Sequence, residues 1–182
     1  MILIVIPAKS DSSRLPGKNM RPVNSRPMID YAIAAARGSR RANRIVVSTD
    51  SDEISEHCRA AGVEVVRRGP ELGGDVPLFD VYKHAAVAVG LDQIDILIGL
   101  QVDHPDRNVS VDEALAFFEA QQADYLTSCE AAGKVNGSYK IYDRQMLATN
   151  ESRKHVVLVD DCTNIHYAED LERAAQILAR RR

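Results

Sequence analysis

The chain has 182 residues, 45% hydrophobic and 27% charged, the make-up of one ordinary globular domain that can bury a core without disulfide or metal staples. Its 23 basic and 26 acidic side chains give a formal net charge of -3, and 5% of residues are aromatic with no Trp; a general nucleic-acid binder would show a basic excess and stacking rings, so no nucleic-acid partner is expected. The apolar run Ile2–Ile6 is shorter than a signal-peptide core and no run nears the roughly 20 apolar residues of a membrane span, so a cytoplasmic protein without membrane association is expected.

Ile2 to Ile6 is a branched-aliphatic run that suits a strand buried on both faces, the central first strand of a parallel sheet. Residues 7–26 have no apolar period and predict a long irregular loop, a feature that in compact domains is usually functional. A helix over Met28 to Arg37, a strand over Arg44 to Ser48 and a helix over Asp52 to Ala61 ended by Gly62 follow. Asp50-Ser51-Asp52 is read as that helix's N-terminal cap, with Asp52 and Glu53 on its dipole, rather than as a metal-binding D-x-D. Val63 to Val66 predicts a short strand, Arg67 to Asp75 a turn-rich loop, and Val76 to Val89 a helix striped by Leu78, Phe79, Tyr82, Ala86 and Val89. Asp95 to Leu100 is a buried strand running into Q-V-D-H-P-D-R, followed by a helix from Val111 to Gln122. Tyr125 to Cys129, Tyr139 to Tyr142 and His155 to Val159 predict further strands and Glu169 to Arg180 a closing helix, with Arg180 to Arg182 as a frayed, solvated end. The alternation implies an open, mostly parallel α/β sheet with helices on both faces and ligands at the carboxyl ends of its strands. Cys58, Cys129 and Cys162 are odd in number and form no C-x-x-C pair, which fits buried free thiols in a reducing compartment.

The loop P-A-K-S-D-S-S-R-L-P-G-K-N follows the central strand directly. Lys9, Arg14 and Lys18 bring three cations to the strand's carboxyl end, while Gly17 and the small Ala8, Ser10, Ser12 and Ser13 let backbone amides approach an oxyanion. That combination suits a polyphosphate. Neither G-x-G-x-x-G nor G-x-x-x-x-G-K-[ST] occurs there, which argues against a dinucleotide dehydrogenase and a P-loop NTPase.

This loop resembles the nucleotide-binding signature of the cytidylyltransferases that activate sugar acids, the CMP-Kdo and CMP-sialic acid synthetases: P-A-R, small residues, then R-L-P-G-K, with Lys9 standing where the family has arginine. I-V-V-S-T-D-S-D-E-I (45–54), R-G-P-E-L (68–72) and Q-V-D-H-P (101–105) resemble further family stretches, the last being similar to the Kdo enzymes' Q-G-D-E-P; Asn136-Gly137 ahead of Tyr139 resembles their N-G-x-x-Y. The resemblance implies a Rossmann-like three-layer α/β/α nucleotidyltransferase fold and transfer of CMP from CTP to a small anionic acceptor, a sugar acid or a phosphonate-type acid, with release of pyrophosphate. By matching positions it implies Lys9, Arg14, Lys18 and Asp103 as catalytic residues, and Ala8, Asn19, Arg68 and Gln101 as nucleotide-binding residues beside the three cations. It also implies Mg²⁺ held by Asp103. The family's second carboxylate is replaced in N-I-H-Y-A-E-D-L (164–171), which leaves His166 or Asn164 as the second metal ligand, with Mn²⁺ favoured if it is the histidine. The stretch Cys129 to Asn136 is shorter than the family's insertion, so any homodimer is not expected to form through the usual arm. Two other readings stay open: a nucleotidyltransferase for another nucleotide or a sugar phosphate, and a CTP-binding module that lost catalysis.

Overall fold

The computed structural model describes residues 1–10, 12–74 and 76–181; Asp11 and Asp75 of the predicted loops, and Arg182 of the terminal arginine run, lie outside the described residues. In chain order the elements are β1 (Ile2–Ala8), β2 (Pro22–Val23), β3 (Arg26–Pro27), α1 (Met28–Arg37), β4 (Arg44–Thr49), α2 (Asp52–Ala60), β5 (Glu64–Arg67), α3 (Leu78–Val89), β6 (Ile96–Leu100), α4 (Val111–Ala120), β7 (Tyr125–Cys129), β8 (Val135–Asp143), α5 (Arg144–Thr149), β9 (His155–Val159) and α6 (Ala168–Arg180). Seven strands form one sheet in the order β5-β4-β1-β6-β8-β7-β9, with β8 antiparallel to both neighbours and the remaining pairs parallel.

Side-chain alternation along β1 divides the core. Ile4, Ile6 and Ala8 pack with residues of α1, α2, α4 and α6 on one face, while Leu3 and Val5 pack with α3 and α5 on the other. The mostly parallel, three-layer arrangement expected from the sequence is the one observed. Cys58, Cys129 and Cys162 are free and buried, also as expected.

The chain leaves β1 through α1 to β4 on one side and returns through α3 to β6 on the other, so strand order reverses between β1 and β6. β1 pairs with β4 as far as Ala8 opposite Thr49, but with β6 only as far as Val5 opposite Gly99. Pro7, which has no N–H to donate, therefore lies beyond the β6 ladder, where the sheet opens into a crevice.

Four local expectations are corrected. Residues 7–26 are not wholly irregular: they contain a 3₁₀ turn at Lys18–Met20 and the start of the β2–β3 hairpin, turned by Asn24 and Ser25 at φ 48 and 65. Two-residue strands are too short to show an alternating pattern. The third helix starts at Leu78 rather than Val76, because Val76 precedes Pro77 and is held out of helical geometry. The strand expected at Tyr139 begins at Val135 and runs to Asp143, and α5, not foreseen, follows it, its first turn capped by Asp143 on Met146 N at 2.7 Å. Arg181 is not a frayed end: its guanidinium donates to the carbonyls of Asp106 (2.9 Å) and Arg107 (3.0 Å), tying the end of α6 to the loop after β6.

Candidate nucleotide-binding cleft

The crevice between β1 and β6 opens into a cleft with about 590 Å³ of space, its open mouth included. Lys9, Lys18 and Asn19 reach it from the loop after β1, Arg68 from the end of β5, and Gln101 and Asp103 from the end of β6. Leu72, Val76, Leu78, Val81 and Val102 supply an apolar side. An adjoining part is lined by Lys9, Ser12, Ser13, Arg14, Lys18, Gln101, Asp103 and His166. Residues predicted from four separate stretches of sequence are thus brought together. Ala8 instead turns its side chain into the core, and Asn164 lines neither part of the cleft.

Several of these side chains also hold the loops in place. Asn19 is buried and donates through Nδ2 to the Lys9 carbonyl at 2.8 Å, which closes the first loop on itself. Lys9 Nζ donates to the Gly74 carbonyl at 3.2 Å, joining that loop to the one after β5. Asp50 accepts from Ser10 N at 2.7 Å and from the Ser10 hydroxyl at 3.0 Å. In the D-S-D motif it is therefore Ser51 that caps α2, accepting from Ile54 N at 3.2 Å, while Asp50 anchors the first loop. That anchoring role has no local signal in the sequence, because it depends on a contact across 40 positions.

Arg68 is buried, its Nε has no hydrogen-bond partner among the described residues, and its nearest carboxylate, Asp50, stands 3.9 Å away. Burial lowers its pKa from the ordinary arginine value and Asp50 only partly opposes this. An under-paired guanidinium facing the cleft is ready for an acceptor-rich ligand. Gly137 sits in β8 against Gln101 at φ +76, a backbone conformation that favours glycine, and a Cβ there would come 2.5 Å from Gln101 Nε2, so a side chain at 137 would push the amide end of Gln101 aside.

Asp103 is the electrostatic centre of the cleft. Lys18 Nζ donates to its Oδ2 at 2.6 Å and also to the Ile165 carbonyl at 3.2 Å, while Ile165 N donates to the Asp103 carbonyl at 2.9 Å. These bonds bring the 164–166 stretch beside the end of β6. Burial works against the Asp103 charge, yet the neighbouring His104 and Lys18 hold the carboxyl well below the usual carboxylate range. His104 is fully buried with Nδ1 3.1 Å from Asp103 Oδ1, outside hydrogen-bonding geometry, and neither ring nitrogen is hydrogen-bonded among the described residues. Asp103 Oδ1 and Asn164 Oδ1 are both buried acceptors without a partner among those residues, the condition in which a carboxylate or amide oxygen is open to a cation. The Asn164 amide nitrogen donates to the Asn136 carbonyl at 3.3 Å. His166 has its pKa lowered by burial and then by Arg14 and Lys18, which favours the neutral imidazole. No group of three or more His, Cys, Asp or Glu gathers into a metal cluster among the described residues.

Tyr139, by contrast, is fully buried and its hydroxyl donates to the Val109 carbonyl, so it belongs to the core. Arg107 lies over its ring at 5.6 Å and donates to the backbone carbonyls of Gln101, His104 and Ser138, bracing the loop that carries Asp103. Where the family insertion would stand, β7 turns into β8 through residues 130–134, a tight hairpin with Gly133 at φ +84.

A mostly parallel α/β/α sheet with cations and one carboxylate at its switch point defines a nucleotidyltransferase-type fold. The profile of the cytidylyltransferase family matches residues 3–180, and the chain belongs to that family. It is 31% identical over 125 residues to the 8-amino-3,8-dideoxy-manno-octulosonate cytidylyltransferase of Shewanella woodyi, covering 68% of this chain and 50% of that one. It is 35% identical over 150 residues to the 3-deoxy-manno-octulosonate cytidylyltransferase of Marinobacter nauticus, covering 81% of this chain and 52% of that one. The chain thus spans about half the length of these curated relatives. Its fold is shared with the structure of a CMP:2-keto-3-deoxy-manno-octonic acid synthetase complexed with CTP, at a TM-score of 0.80 and 17% identity over all of this chain and 99% of that one. No helix among the described residues is long and apolar enough to cross a membrane.

Proposed function

We propose that this chain is a cytidylyltransferase that moves CMP from CTP to a small sugar acid of the 3-deoxy-manno-octulosonate type, releasing pyrophosphate. The observation that carries this reading is the convergence of Lys9, Arg14 and Lys18 around Asp103 at the β1–β6 switch point, beside the under-paired Arg68. The activities named for the octulosonate relatives supply the acceptor class.

In the proposed reaction the acceptor hydroxyl oxygen forms a bond to the α-phosphorus, the bond from that phosphorus to the bridging oxygen breaks, and pyrophosphate leaves; the hydroxyl proton passes to solvent. Protein groups position the reactants and neutralise growing charge rather than react covalently. Lys9, Arg14 and Lys18 face the triphosphate, Arg68 and Gln101 hold the nucleoside, and Asn19 and Ala8 shape the loop beneath it. A divalent cation would be held by Asp103 with Asn164 or His166, and when bound it would supply charge neutralisation at the phosphates. The amide oxygen suits Mg²⁺ and the imidazole suits Mn²⁺. His166→Asp is therefore expected to shift the preference from Mn²⁺ toward Mg²⁺ if the histidine coordinates, whereas Asn164→Ala is the damaging change if the amide does.

The reading is tested by measuring pyrophosphate release from CTP, UTP, GTP and ATP with 3-deoxy-manno-octulosonate as acceptor. Release from CTP alone supports it, selective release from another nucleotide moves the chain to a different nucleotidyltransferase activity, and CTP binding with no release identifies a non-catalytic CTP-binding module.

A further inference from the structure

The sheet ends in two unlike edges. β5 is a four-residue strand whose Glu64 is bonded to Arg44 and whose Arg67 pairs with Asp52, so charge guards that margin. The other edge, β9, reads His-Val-Val-Leu-Val, with no charge, proline or bulge. It pairs with β7 on one side only.

The register identifies which backbone groups of β9 are unused. Tyr125 N donates to the Lys154 carbonyl and Asp160 N to the Cys129 carbonyl, so the even-numbered residues of β9 face β7. The N–H and C=O groups of His155, Val157 and Val159 point away from the sheet, and none is hydrogen-bonded among the described residues. The side chains of these three residues share the sheet face of Tyr125, and Val157 and Val159 are 45% and 56% exposed. Val135, 60% exposed on β8, is in register with the buried Cys129 and through it with Val159.

We propose that β9 pairs antiparallel with β9 of a second copy of this chain, about a two-fold axis at Val157, to form a continuous sheet across a homodimer. The strand is complementary to itself in this register. Val157 meets Val157, and His155 meets Val159, so the outward-pointing groups of one copy face those of the other as hydrogen-bonded pairs. The flanking sequence agrees: the exposed Arg153 falls opposite the exposed Asp161, and by the two-fold symmetry opposite charges meet at both ends. Because β9 is the one uncharged edge of the sheet, the pairing closes at two chains instead of growing. The contact uses neither the 130–134 hairpin nor the cleft, and it stands whether or not the proposed activity is correct.

The test is the mass in solution by size-exclusion chromatography with light scattering, over a wide concentration range. The wild-type chain is expected to run as a dimer. Val157→Pro, which removes an N–H unused within one chain, and Val157→Lys, which sets like charges at the axis, are expected to give folded monomers by circular dichroism. Asp161→Lys should weaken the dimer, and the reciprocal Arg153→Glu, Asp161→Lys variant should recover it. A wild-type monomer at every concentration, or a dimer that survives both Val157 changes in folded protein, overturns the proposal; so do open aggregates in place of a dimer. If Val157→Pro fails to fold, Val157→Lys and the charge exchange decide the matter alone.

Discussion

On the β1–β6 side of the molecule, charged side chains project into the cleft with few partners: Arg14 makes no hydrogen bond or ion pair among the described residues, and Arg68 has only Asp50 at 3.9 Å. On the β7–β9 side, equally polar residues are buried and satisfy one another. Ser128 donates to Asn136 at 2.7 Å, Asn136 to the Asp160 carbonyl at 2.7 Å, and Ser138 to the Asp160 carboxylate at 2.7 Å; Thr163 donates to Asp106 through both its N–H and its hydroxyl. Polar groups that are fully paired fix a fold, and polar groups left under-paired beside a cavity await a ligand. The contrast separates the residues expected to govern stability from those expected to govern binding.

The sharpest way to break this contrast is at Lys18 and Asp103, the one pair that belongs to both categories. Their side chains are 15% and 13% exposed, so Lys18→Ala leaves a nearly buried carboxylate short of its cation and is expected to cost up to about 3 kcal/mol of stability. Asp103→Ala combined with Lys18→Ala should recover much of that loss while pyrophosphate release stays about a hundredfold or more below wild type. Denaturant unfolding and the release assay read the two effects separately. If stability and activity return together, the pair is structural only.

Arg14 offers the pure binding case. Arg14→Ala should leave the unfolding midpoint unchanged and weaken CTP by about 1.5 to 3 kcal/mol, roughly ten- to a hundredfold, through loss of charge-assisted hydrogen bonds. Calorimetry on the variant checks it, and a destabilised protein with unchanged CTP affinity would reverse the assignment.

Asp124 offers the pure stability case on the other side. Burial would raise its pKa, but the Ser152 hydroxyl and the backbone N–H groups of Arg153 and Lys154, with the Arg153 side chain, pull it down to about 2. A carboxyl lowered on folding contributes stability above its unfolded value, near 3.9, and that contribution is lost as pH falls through the folded value. Asp124→Asn should therefore cost about 1 to 2 kcal/mol at pH 7, with the difference from wild type vanishing as pH approaches 2. CTP affinity should not move.

The same division explains what could be read ahead of the structure. The buried strands, the long helices and the cation-rich first loop announce themselves through continuous apolar runs, periodicity and local composition, and all lie in short windows of sequence. Lys9, Arg14 and Lys18 were legible as cations in the loop after the central strand, where this sheet type gathers its ligand-facing groups, and Arg68, Gln101 and Asp103 through the resemblance of their stretches to the cytidylyltransferases. What escaped depends on contacts between distant residues: Asp50 anchoring Ser10, Arg181 bracing the Asp106 loop, and Arg107 binding three carbonyls. Asp143 and Asn150 mark the ends of α5, but six residues are too few to show a helical period. The place of His166 beside the cleft, and of Asn164 outside its lining, follows from how Thr163 and Ile165 are pinned to the loop after β6, which no local pattern encodes.

The claim that the under-paired cations form a cradle for one nucleoside triphosphate is tested most directly by calorimetric titration of CTP, UTP, GTP and ATP into the wild-type chain and the Arg14→Ala variant, with Mg²⁺ or Mn²⁺ present. The account predicts preferential binding of CTP by wild type and a loss of at least about tenfold in the variant. Equal affinity for all four nucleotides, or CTP affinity unaltered by the substitution, would contradict it.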